Sequence, residues 1–243
     1  MPILTESRFT GREADLPHGM QSEIAVCLQR GVDFLLSQQH DDGFWQDFQL
    51  PVGPSTTWVT ALIAYQLAGL CQGDATDAAV RAAAWLQQAG ADGRWGYNEK
   101  VEADADSTAW VLRLFHVLDI PAFVDVDFLL AHQRDDGGFS TYLAEDGWGA
   151  SHACVTAAVL LALRPTGRDD VIDNAHRWLS AARRDNDVWS GYWWSGPFYP
   201  TWLAVQALSE SRKSEEFQQL LSTLPGLSVI RSTFELACAL SLA

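Results

Sequence analysis

The chain has 243 residues, the length of one large domain or two small ones, and enough to bury a core without disulfide or metal staples. Lys plus Arg number 16 against 31 Asp plus Glu, a net charge of −15, which argues against binding a nucleic-acid backbone or docking on an anionic membrane through a basic patch. Tryptophan stands out: 11 Trp against 5 Tyr and 2 Met calls for a recurring structural device, an aromatic-walled pocket, or both.

Residues 1–22 read as a loose polar arm with no charged-then-apolar leader pattern, and residues 23–243 as a single domain. Within that domain four segments repeat a theme: FLLSQQHDDGFW (34–45), AAWLQQAGADGRW (83–95), FLLAHQRDDGGF (128–139) and RWLSAARRDNDVW (177–189). Each is an amphipathic helix running into an acidic turn and then an aromatic, with Gly43, Gly93 and Gly137 just past three of the helix ends. After each turn comes a more apolar helix, at 56–70, 106–118, 152–163 and 199–208, and a fifth such helix covers 232–243. No strand alternation competes with these helices. Polar outer helices alternating with apolar inner ones predict an all-α fold, an α/α barrel of about five helical hairpins, with an open solenoid as the rival. Closure is favoured because an open array would leave its concave face apolar. The four cysteines, Cys27, Cys71, Cys154 and Cys238, form no C-x-x-C pair and read as free thiols. No stretch is long and apolar enough for a transmembrane helix, and the expected location is the cytoplasm.

QHDDGFW (39–45) and QRDDGGF (133–139) share the spacing Gln, three residues, Gly, one residue, aromatic; QAGADGRW (88–95) carries one extra residue. This resembles the QW motif of squalene–hopene cyclases and related class II terpene cyclases, over roughly residues 23–243. The resemblance implies their α/α barrel, which protein prenyltransferase β-subunits share. It also implies that Gln39, Trp45, Gln133 and Phe139 are staples between repeats rather than chemistry.

Aligning the inner helices on Leu67, Leu118, Leu163 and Leu208 sets Asp106 opposite Ser55, Ser151 and Gly196, and Asp104 opposite Gly53, Gly149 and Trp194. Only the second repeat places carboxylates at this entry to an inner helix, so the repeat itself does not require them. Asp106 followed by Ser107 and Thr108 also suits a helix cap. The string D-A-D-S-T-A (104–109) is similar to the D-x-D-D-T-A of class II terpene cyclases, with Ser107 in place of the third acid. The resemblance assigns Asp106 the role of general acid toward an alkene or epoxide, with Asp104 and Glu102 as neighbouring charges. A proton donor of this kind must be kept protonated by desolvation or a nearby carboxylate.

A cationic intermediate needs walls that stabilise charge without attacking it, and aromatic faces do so. Trp58, Trp110 and Trp148 fall at or before inner-helix starts. The segment WSGYWWSGPFYPTW (189–202) brings Tyr192, Trp193, Trp194, Phe198 and Tyr199 to the same mouth. His152 and Cys154 enter the next inner helix; His152 is a candidate to hydrogen-bond Asp106 and restore its proton, and Cys154 joins the substrate-binding set. With Asp104 or Asp106 they could also make a zinc set, but their order differs from that of the prenyltransferases. No cofactor or metal is expected.

The reading is a terpene cyclase-like enzyme for proton-initiated cyclisation or isomerisation of an apolar polyene. The alternatives are a non-catalytic module binding an apolar ligand or protein, and a zinc-dependent prenyltransferase-like subunit. Full-length relatives pair two barrels, so either a homodimer or second barrel completes the site, or one mouth suffices.

Overall fold

The computed structural model describes residues 18–121, 123–184, 188–208 and 232–242. The expected polar arm lies outside them up to residue 17, and helix α1 occupies His18–Gln38. Then follow α2 (Thr57–Ala68), α3 (Gly73–Ala89), α4 (Ala105–Val117), α5 (Val126–Ala131), α6 (Ala153–Leu163), α7 (Asp169–Ala181), α8 (Phe198–Leu208) and α9 (Thr233–Leu242). The expected alternation is present. In α2, α6 and α8 nearly every side chain is buried, whereas α3 and α7 bury one stripe, Ala75–Ala78–Ala82–Leu86 in α3 and Ala175–Leu179 in α7.

Two elements differ from the sequence expectation. A short antiparallel hairpin, β1 (Asp47–Leu50) and β2 (Gly53–Ser55), follows the first turn. Its strands are too short to show alternation, and Phe48 and Gly53 have positive φ of 53° and 108°. Helix α5 is only six residues long, because the Asp125 carboxylate caps Phe128 N at its start and the turn after Gln133 ends it.

The chain divides into two compact units. One comprises the residues up to Ala103 with Trp110–Val124; the other comprises Asp104–Ala109 with the residues from Asp125 onward. In the first, α3 packs against both α1 and α2; in the second, α6 packs against α7 and α8, and α8 against α9.

The repeated turn is tied down by bonds that recur from copy to copy. The indole N–H of Trp45, Trp95 and Trp189 donates to Leu35 O, Leu86 O and Leu179 O at 2.8, 2.7 and 2.7 Å. These are carbonyls in the last turn of a helix, and Leu86 O also accepts from Gly90 N at 3.1 Å. The amide of Gln39 donates to Gly43 O and to Ala78 O of the next amphipathic helix, and Gln133 does the same to Gly137 O and Val171 O. Gly43 is required twice over: its φ is +102°, and a Cβ there would come within 2.7 Å of Arg81 O. The backbone N–H groups of Trp45, Phe139 and Trp189 donate to the hydroxyls of Thr60, Thr156 and Thr201. All three threonines lie seven residues before the aligned leucines, a regularity that the second repeat replaces with Val111.

Candidate functional site

Helices α2, α6 and α8 begin ten residues before their aligned leucines, at 57, 153 and 198, but α4 begins at 105, thirteen before Leu118. Three extra residues at 1.5 Å each extend its N-terminus by about 4.5 Å. The cause is Asp104. Its Oδ1 accepts from Ser107 N at 2.7 Å and its Oδ2 from Ser107 Oγ at 2.8 Å, an N-cap closed by a second bond. The capping role expected of Asp106 therefore belongs to Asp104, and Ser107, standing where the third acid would be, serves to lock it. Asp106 sits inside the added turn, 8% exposed. Glu102, expected as a neighbouring charge, is exposed to solvent and belongs to the first unit.

Around this turn the second unit assembles three loops. Ala105 N donates to Thr141 O at 3.1 Å, fixing the helix start to the segment after Phe139. Thr141 Oγ1 accepts from the Trp193 indole at 2.8 Å and lies 3.3 Å from His152 Nδ1. His152 Nε2 faces Gly147 O at 3.1 Å. A carbonyl only accepts, so Nε2 carries the proton and Nδ1 accepts from the Thr141 hydroxyl, a tautomer assigned from the network. Burial holds His152 below the ordinary imidazole value, with the bond to Gly147 acting against that shift. Both ring nitrogens are thus committed, and the expected His152–Asp106 hydrogen bond is not formed. His152 stacks on Tyr192, with ring centroids 4.4 Å apart.

Cys154 is fully buried, and its thiol is pushed up to about 12 by burial first and the Asp106 carboxylate second. Among the described residues no group of three or more His, Cys, Asp and Glu is arranged to hold a metal ion. Asp136, in the acidic turn before Phe139, is used by the fold: it accepts from Gly138 N, Ser151 Oγ and the Trp178 indole.

The aromatic candidates separate. Trp148, Tyr192 and Trp193 are exposed; Trp193 meets Trp148, Tyr192 and Tyr142, and Trp148 meets Tyr142, edge-on or tilted at 5.0–6.5 Å between rings. Trp194 and Tyr199 form a second group with Phe234, and Phe198 is buried. Trp58 and Trp110 belong to the first unit and are core there. Trp58 meets Phe48 edge-on, and Trp110 lies against Tyr65 with the Arg113 guanidinium 4.0 Å over its ring. Composition gave no sign of Thr141, the hub of the site, because its role depends on three loops meeting. Glu235, a buried carboxylate in the first turn of α9, was equally unseen.

No family model and no curated protein matches the chain. Solved structures do. The apo type II terpene cyclase MstE from Scytonema is 26% identical, with a TM-score of 0.76 over 91% of this chain and 73% of that one. The chain has the class II terpene cyclase-like fold. A protein from Actinoplanes is 34% identical, with a TM-score of 0.76 over 90% of this chain and 73% of its own. The ent-copalyl diphosphate synthase from Streptomyces platensis, 22% identical with a TM-score of 0.58 over 79% and 40% of the two chains, agrees in fold. This terpene cyclase-like chain thus shares the α/α-barrel architecture of enzymes, and its described helices include none long and apolar enough to cross a membrane. MstE has been solved with geranylgeranyl dihydroxybenzoate as substrate and with merosterolic acid A as product.

Proposed function

We propose that the chain is a class II terpene cyclase-like enzyme in which Asp106 protonates an apolar polyene or its epoxide and so starts cyclisation or isomerisation. The observation that carries this reading is the added turn of α4, an extension the other aligned helices lack, held by Asp104 and Ser107 with a buried Asp106 within it. Proton transfer from Asp106 forms a C–H bond with the alkene π pair and leaves a carbocation, which later double bonds capture. Desolvation favours the neutral form of a carboxyl group, the form that can donate. Tyr192, Trp193 and Trp148 offer aromatic faces toward a cation, at about 0.5–2 kcal/mol per contact. Asp104 and His152 act as positioning residues, the first through Ser107 and the second through Thr141.

The test is Asp106→Asn, assayed on a panel of C20 polyenes and epoxides that includes geranylgeranyl dihydroxybenzoate. Loss of a general acid costs about 10²–10⁴-fold in turnover. Full turnover by a variant with unchanged melting temperature would sink the proposal.

A further inference from the structure

The third copy of the repeated turn departs from the first in what lies over its tryptophan. Gln39 and Gln133 reach Ala78 O and Val171 O, so Trp85 and Trp178, seven residues further on, hold equivalent places in α3 and α7. In the first copy Phe44 packs on Trp85 with ring centroids 4.9 Å apart, His40 stacks on Phe44, and Arg81 donates to Gln39 Oε1. In the third copy Gly138 stands for Phe44, Asn174 for Arg81, Arg177 for Ala84 and Ala181 for Gln88. Trp178 lies directly on Gly138, where a Cβ would come within 2.7 Å of its ring, and its indole donates to Asp136 Oδ2 at 2.9 Å. Beside it opens a cleft of about 340 Å³, the size of a site for a small ligand. The repeat does not require this cleft, because it arises where the third copy breaks the pattern.

Four charged side chains line the cleft: Arg134, Asp135, Asp136 and Arg177. Among the described residues none of the four makes an ion pair. Two of them hold the fold. Arg134 Nη2 donates to Tyr142 O at 3.0 Å and to Ala144 O at 3.2 Å, while its buried Nε makes no hydrogen bond; Asp136 takes three donors. The other two are exposed. Arg177 spends one N–H on Asn174 Oδ1, and the Asp135 carboxylate accepts from no described residue. Opposite charges that share a concave site without neutralising each other complement a ligand that carries both signs. A singly charged ligand gains one attraction there and meets one repulsion. The Trp178 ring supplies apolar surface for the body of the ligand. We infer that this cleft binds a small zwitterion, a free amino acid with an apolar side chain, its carboxylate on Arg177, its ammonium on Asp135 and its side chain on Trp178. The cleft shares no residue with the site around Asp106, and its role does not rest on the reaction proposed there.

The test uses three probes that share one apolar body and differ in charge. L-phenylalanine carries both signs, phenethylammonium only the positive and 3-phenylpropanoate only the negative. Each is titrated into the full chain at low ionic strength and followed by ligand-observed NMR. The wild type is expected to bind phenylalanine about threefold or more tighter than either analogue, the scale of one partly exposed ion pair. The variants fall on Arg177 and Asp135, because Arg134 and Asp136 hold backbone in place and exposed positions leave the melting temperature near that of wild type. Arg177→Gln should bring phenylalanine down to the level of phenethylammonium. Asp135→Asn should bring it down to the level of 3-phenylpropanoate. Ala181→Trp, which narrows the cleft without altering its charge, should weaken all three probes. Absence of saturable phenylalanine binding in the millimolar range, analogues that bind as tightly as phenylalanine, or variants indistinguishable from wild type would each overturn the inference.

Discussion

Removing the Asp104 carboxylate probes the feature that distinguishes α4 from the other aligned helices. In Asp104→Ala the N–H of Ser107 loses its acceptor at 2.7 Å and the Ser107 hydroxyl loses its own at 2.8 Å. Loss of an N-cap costs about 0.5–2 kcal/mol, and a hydrogen bond to a charged group about 1.5–3 kcal/mol. The sum has a ceiling, because Ser107 stands where the other helices place their cap and can cap a helix shortened to the common register. We therefore expect a loss of about 2–4 kcal/mol, or roughly 5–12 °C in Tm for a chain of this size. The added turn should open while the rest of the fold persists. Hydrogen exchange at the Ser107 and Thr108 amides should accelerate at least tenfold, and turnover should fall although Asp106 is intact. Asp104→Asn keeps one acceptor and should lose about 1 kcal/mol. A Tm for Asp104→Ala within 1–2 °C of wild type, roughly the effect of half a kcal/mol, with Ser107 still protected, would refute this account of the turn.

Other outcomes follow from the same geometry. Cys27 and Cys71 are exposed while Cys154 and Cys238 are buried, with thiols pushed up to about 12. A thiol titration of the native protein should show two fast groups, with the buried pair reacting only on unfolding; a third fast thiol would contradict the burial. Thr156→Val keeps the shape but strands the Phe139 N–H and should cost about 1–3 kcal/mol in a denaturant series. Gly43→Ala, strained in φ and against Arg81 O, should destabilise by more than about 1 kcal/mol. Gly31→Ala, with open space around it in α1, should gain about 0.5–1 kcal/mol; equal effects would refute the assignment. Burial lowers His152 below 6.5, so the folded state holds it neutral where the unfolded chain takes up a proton. Its contribution is complete above that pH and is lost as pH falls through the folded value. His152→Gln should therefore show a shallower loss of Tm between pH 7 and 5 than wild type, and parallel curves would count against a buried neutral imidazole.

Most of the helical plan was readable from the chain because it rests on local rules. Period 3.6 marks α3 and α7, uninterrupted apolar character marks α2, α6 and α8, and Gly43 and Gly137 announce turns that only their backbone freedom permits. The repeat likewise exposed Asp104 and Asp106, since a residue that breaks a register is visible without any structure. What each does was not readable. Whether a carboxylate caps a helix or sits within its first turn depends on a shift of three residues, decided by where Ser107 and Thr141 find partners. Nor could the tryptophans be sorted. Trp45, Trp95 and Trp189 carry their motif in sequence, but Trp110 as core and Trp193 as an exposed ring donating to Thr141 look alike on paper. Sequence determined which segments are helical and which positions are unusual, because both are properties of neighbours along the chain. Tertiary structure alone decided the Thr141 hub, the commitment of both His152 nitrogens and the cleft beside Trp178, because hydrogen bonding and burial are settled by groups far apart in sequence meeting in space.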